Sequence, residues 1–193
     1  MEPLADYLDA AYPEPVTLLG QRLQPFALGH MELLCRFGNA YVTPGRAPTL
    51  DDLAFAVFIC SQTWREALDA ITADDLPAKL KAWGDNLGPF VFEDKSEDFV
   101  RYLLAGSRTP EVFDSEHGGE STGLSMLHDV RLVLTGWIGY TREDAMNCPW
   151  GLARWDYYGW HAQRGNVRLV GEEMNEHLSY AMETNRKLAE ARN

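Results

Sequence analysis

Positive charge is scarce in this sequence. Seventeen Lys and Arg stand against 29 Asp and Glu across 193 residues, a formal net charge of −12. Such a chain lacks the broad basic face needed to displace counterions from nucleic acid or to seat on anionic lipid, which excludes both as general partners. Cysteine is scarcer still. Cys35, Cys60 and Cys148 are odd in number and far apart, giving neither a disulfide framework nor a paired-thiol metal clip. Each lies among apolar neighbours and reads as a small buried hydrophobe in a reducing compartment. His30 lies five residues before Cys35, the wrong interval for serving that thiol from one helix face. Long apolar runs are missing too, and none approaches the ~20 residues of a membrane span. The start, Met1 to Asp6, is acidic and lacks the basic residues and apolar run of a signal peptide. These absences lead us to expect a cytoplasmic protein, in its own cell or in a host's. There is also no GxSxG, P-loop, GxGxxG or HExxH, so no single motif names a reaction or a cofactor.

What is present is apolar and helical in pattern. Hydrophobic residues are 46% and aromatics 11%, too apolar for a disordered tail, and the length suits one domain with a real core. Residues 1–15 hold Pro3, Pro13 and Pro15 and read as an irregular arm. Residues 16–26 read as two short extended pieces around Gly20, a small hairpin. Helical spacing follows over 27–37 (Leu28, Met31, Leu34, Cys35), with Gly38-Asn39 as the stop. Thr49-Leu50-Asp51-Asp52 has the form of a helix N-terminus. Thr72-Ala73-Asp74-Asp75 repeats it ahead of a helix through Trp83, and Ser96-Glu97-Asp98 opens another. Further helices are predicted over 124–138, with a stripe of Leu124, Leu127, Val130, Leu134 and Trp137, then after Thr141, over 150–163, and over 172–192. The expected fold is mainly α: a compact helical domain over 1–110 with the hairpin, a mobile acidic loop over 111–122, and a C-terminal helical module over 123–193.

Two groupings could carry function. Asp114, Glu116, His117 and Glu120, joined by His128, could converge on a divalent ion. The plainer reading is a solvated acidic loop, because its glycines preorganise nothing. The second grouping is the aromatic run Trp150, Trp155, Tyr157, Tyr158 and Trp160. At helical spacing it needs two neighbours, or one neighbour and one partner. Core packing is one reading. The other is an anchor surface, since Trp and Tyr dominate binding hot spots. The stripe Met174, Leu178, Ala181 and Leu188 poses the same choice between its own domain and another subunit, so homo-oligomerisation stays open.

Two stretches are familiar together. Gln24-Pro25-Phe26-Ala27-Leu28-Gly29-His30-Met31-Glu32-Leu33-Leu34, followed by Thr49 to Ala54, resembles the first domain of tail assembly chaperones of long-tailed phages and prophages. Gly139 to Tyr158 is similar to their downstream module, in which a short helix turns into one bearing Trp and Tyr. That module is commonly made by frameshifting, whereas here both parts lie in one continuous chain. The resemblance implies a non-enzymatic role without cofactor or metal. The chain would bind a hydrophobic tape-measure protein, keep it soluble, and recruit tube subunits. Trp150, Trp155, Tyr158, Trp160, Met174 and Leu178 are the expected partner-binding residues. A structural virion component (a connector or tail-completion protein) and a small metal-dependent hydrolase on Asp114, Glu116, His117 and His128 are the alternatives.

Overall fold

The computed structural model describes residues 3–85, 90–114 and 125–169. Within them the chain is mainly α. In order run α1 (Pro3–Ala11), β1 (Val16–Leu18), β2 (Gln21–Leu23), α2 (Leu28–Arg36), α3 (Leu50–Cys60), α4 (Trp64–Ile71), α5 (Leu76–Asp85) and α6 (Phe92–Ala105). Then come β3 (Val112–Asp114), α7 (Met126–Val133), a π-helical turn (Leu134–Ile138), α8 (Arg142–Asn147), α9 (Trp150–Gln163) and β4 (Val167–Leu169). None of these helices is long and apolar enough to cross a membrane. The predicted C-terminal helix over 172–192, with Met174 and Leu178, lies outside the described residues.

The N-terminal arm is a correction, for it is helical. Pro3 takes the first helical position, where its missing N–H costs nothing, and Pro13 and Pro15 follow the helix end. The hairpin forms as expected, with Val16 opposite Leu23 and Leu18 opposite Gln21. Leu19 (φ 49°) and Gly20 (φ 73°) both adopt the left-handed conformation that a two-residue type I′ turn demands. Leu18 and Leu23 enter the core.

Helix α2 ends as read. Gly38 (φ 63°) donates to the Cys35 carbonyl and Asn39 to that of Leu34, a Schellman closure. Thr49 caps α3, with Asp52 reaching back to the Thr49 N–H at 2.9 Å, and Thr63 and Glu66 do the same for α4. Two expected starts move. Thr72 closes α4, its hydroxyl donating to the carbonyls of Leu68 and Asp69, and α5 begins later. Helix α6 begins at Phe92, ahead of Ser96, with Glu93 and Asp94 in its first turn. Glu97 and Asp98 instead pair with Arg101 at 2.7 and 3.3 Å, within the helix.

The expected boundary between N- and C-terminal parts does not divide the core. Phe26, Leu28, Leu34, Leu53, Val57, Ile59 and Phe99 share one buried cluster with Val130, Leu134, Met146, Trp150 and Ala153. Backbone bonds stitch the same seam: Leu28 N–H to the Cys148 carbonyl (3.0 Å), Trp150 N–H to that of Phe26 (2.7 Å), Gly151 N–H to that of Gly106 (2.9 Å). Residues 112–114, expected in the acidic loop, form β3 and pair antiparallel with β4. Glu116, His117 and Glu120 lie outside the described residues.

The predicted helix over 124–138 also changes character. It is α-helical to Val133 and then widens, so that Gly139 N–H reaches back five residues to the Leu134 carbonyl at 3.0 Å. One extra residue in the turn rotates the side chains after it about the helix axis. Val130 and Leu134 stay buried, whereas Trp137, expected on the same stripe, is 67% exposed.

Candidate binding surface

Helix α9 carries the aromatic run, and the structure divides it. Its first turn is core: Trp150 is buried, and Gly151 sits so close to neighbouring chain that a Cβ there would lie 2.7 Å from the Arg108 carbonyl oxygen. Trp150 is therefore corrected from a partner-binding residue to a core residue. Trp155 is half-buried against α1, edge-on to Tyr7 at 5.9 Å, and its buried Nε1–H finds no acceptor among the described residues. Tyr158 is half-buried beneath the Arg154 guanidinium, which lies 5.8 Å from its ring and 5.6 Å from that of Trp150.

The far end of α9 is different. Trp160 lies 5.7 Å from Trp137 of the π-helical turn. The exposed Arg164 guanidinium stacks 3.9 Å over Trp160 and 5.6 Å from Trp137. Ile138 beside them is 39% exposed. Tyr157 and Trp160 both flank His161, at 4.5 and 4.7 Å. Burial lowers the affinity of His161 for a proton, Arg164 adds to this, and Asp129 opposes it. The result is an apolar and cationic patch on an acidic molecule, built from two tryptophans and one arginine.

Of the expected partner residues, Trp160 is in this patch. Trp155 and Tyr158 are partly covered by the chain itself, and Met174 and Leu178 lie outside the described residues. Sequence reasoning missed Trp137 and Arg164. A signal existed for the first: Gly136 and Gly139 flank Trp137-Ile138, a poor setting for a regular buried helix. Arg164 follows Trp160 by four residues, one helical turn.

Other titratable groups are occupied by the fold. His30 is fully buried: Ala27 N–H donates to its Nδ1 at 3.2 Å, and its Nε2–H donates to the Gln62 carbonyl at 2.8 Å. Burial lowers its pKa to about 4, so the ring stays neutral. Asp52 accepts from Arg46, from Thr49 N–H and Oγ1–H (2.9 and 2.7 Å), and from Ala40 N–H (3.3 Å). The Arg46 bond first, then those of Thr49 and Ala40, hold its carboxyl well below the ordinary range against the opposing effect of burial. This clasp lines an open groove of about 520 Å³ with Phe37 and Phe55. A second concavity of about 250 Å³ lies between the hairpin and α6, where Tyr102 donates to the Gln24 carbonyl.

Tyr140, in the connection that leads into α8, donates to Asp156 of α9 at 2.9 Å, and burial raises the pKa of both groups. The Cys60 and Cys148 thiols are pushed up to about 12 by burial, the opposite of an activated nucleophile. For the suggested metal set, His128 Nδ1 faces Arg131 at 2.9 Å, and Arg131 in turn pairs with Glu32 at 3.2 Å. A guanidinium on the imidazole disfavours a cation there. Asp114 contributes backbone to β3, and its side chain is outside the described residues. Among the described residues no three His, Cys, Asp or Glu side chains gather to hold a metal ion.

Comparison with protein-family models, curated proteins and solved structures finds no match.

Proposed function

We propose that the protein is a non-enzymatic, helical assembly chaperone of the phage tail type, binding an apolar helical partner such as a tape-measure protein. The observation that carries this reading is the Trp137–Trp160–Arg164 patch. A large apolar side chain two-thirds exposed and backed by a second tryptophan is the chemistry of a docking surface. The net charge of −12 supports the same reading, because a strongly charged exterior keeps a protein soluble while it masks a partner's apolar surface. The resemblance of residues 24–34, 49–54 and 139–158 to tail assembly chaperones supplies the specific partner. Co-expression with the tape-measure protein of the same genome tests it. The expected result is co-purification and a larger soluble fraction of the tape-measure chain. Absence of both overturns the reading.

A further inference from the structure

We propose that Trp137, Trp160 and Arg164 seat a partner helix whose apolar stripe is flanked by a carboxylate. The inference rests on the binding role proposed above and names the chemistry that this one patch selects.

Arg164 carries the argument. Arg46, Arg65, Arg101, Arg108 and Arg131 each pair with an Asp or Glu. Arg164 has no such pair among the described residues, and neither have Arg22, Arg36, Arg142, Arg154 and Arg168; what sets Arg164 apart is that, among the described residues, it stacks most closely on an aromatic ring. It is held instead by the face of Trp160, 3.9 Å away, with Trp137 at 5.6 Å. Stacking fixes the plane of the guanidinium and leaves its edge N–H groups facing outward. A partner that covers the tryptophans also takes those donors out of water. An unpaired guanidinium under an interface is costly, so a well-fitting partner brings an acceptor, and a carboxylate matches the fork bidentately. Trp137 and Ile138 provide the apolar half of the seat, and Trp160 behind them makes it stiff. The stretch carrying Trp137 and Ile138 is π-helical, a geometry frequent at functional sites. A second copy of the chain fits less well: it adds another −12, and its own three seat residues include no carboxylate.

The test uses the full chain and two labelled amphipathic helical peptides of about 18 residues, roughly five turns. Each has a Leu stripe, flanked by Glu in one and by Lys in the other. The Glu peptide is expected to bind the wild type, by fluorescence anisotropy, about tenfold more tightly than the Lys peptide. Trp137→Ala should weaken it by about tenfold or more. Arg164→Glu should reverse the preference, so that the Lys peptide binds better. Failure of the Glu peptide to bind the wild type, indifference to Trp137→Ala, or no reversal with Arg164→Glu overturns the proposal. Both substitutions are at exposed positions, and circular dichroism checks that the fold is kept.

Acrylamide quenching settles the occupant, with Trp137→Phe subtracted to isolate the Trp137 signal. Ready quenching in the peptide-free monomer is expected. Protection in the monomer means that the chain covers its own seat. Protection that grows with concentration, alongside a dimer by light scattering, means a second copy. Either overturns the proposal. Failure of the tape-measure co-expression with a successful charge swap removes the phage reading alone. The converse removes the role of Arg164 alone.

Discussion

His30 shows how much one side chain can decide. Its ring closes the first turn of α2 on one side and holds the Gln62 carbonyl between α3 and α4 on the other. Both bonds need the neutral ring with its proton on Nε2. The unfolded chain takes up a proton near pH 6.5 and the folded one near pH 4. The stability that His30 contributes is therefore complete above pH 6.5 and is lost as the pH falls toward 4, by on the order of 3 kcal/mol. Urea unfolding across pH 7.5 to 4 should show this slope, and His30→Gln should flatten it. His161 contributes in the same direction, so the difference between the two profiles isolates His30. Asp52, with a depressed pKa, loses its contribution in a lower window, below the ordinary carboxylate range near 4. Glycine decides packing in the same local way. A Cβ on Gly29 would lie 2.4 Å from Trp64 Cδ1 and 2.7 Å from the Met146 carbonyl oxygen. Gly29→Ala should cost about 1–3 kcal/mol by overpacking, read as a lower urea midpoint at unchanged slope.

Helices show which signals in a sequence are local. Thr49 with Asp52, Thr63 with Glu66 and Thr141 with Asp144 cap α3, α4 and α8, because each cap is chosen within four residues. Thr49→Ala removes the hydroxyl that both accepts from the Asp52 N–H and donates to its carboxylate, and should cost about 1–2 kcal/mol in chemical denaturation. Where the local signal is shared, the assignment slips. Thr72 has the form of a cap yet ends the preceding helix, and Ser96 lies inside α6, accepting from the Tyr41 hydroxyl at 2.7 Å. The π-helical turn is the instructive miss. The stripe Leu127, Val130, Leu134, Trp137 has faultless helical spacing, but one added residue per turn leaves Trp137 in solvent.

For the molecule as a whole, the division at the acidic loop gives way to a single core shared by α2–α4, α6 and α7–α9. That sharing predicts one cooperative unfolding transition, seen as coincident tryptophan fluorescence and circular dichroism curves; separate transitions for the two halves would contradict it. The same core shields the thiols. Cys60 and Cys148 should resist a thiol reagent in the native protein, leaving Cys35 as the accessible one, and all three should react in denaturant. A fast reaction of Cys148 in the native state would contradict this burial.

Most of the helix order after the N-terminal arm, the hairpin around Gly20, the caps at Thr49 and Thr141 and the apolar setting of the cysteines were legible in the residues, because each depends on neighbours a few positions away. The excess of acids over bases, from which we expect no broad acidic surface as a partner, needs no fold at all. Long-range packing settled the rest. The aromatic run over 150–160 is equally apolar along its length, and the docking of α1 on one part and of the Phe26–Gly106 region on another separates buried Trp150 from half-buried Trp160. Trp137 and Arg164 are 27 positions apart in the sequence. They meet because the π-helical turn swings one toward the end of the helix that carries the other, a juxtaposition that no local pattern encodes.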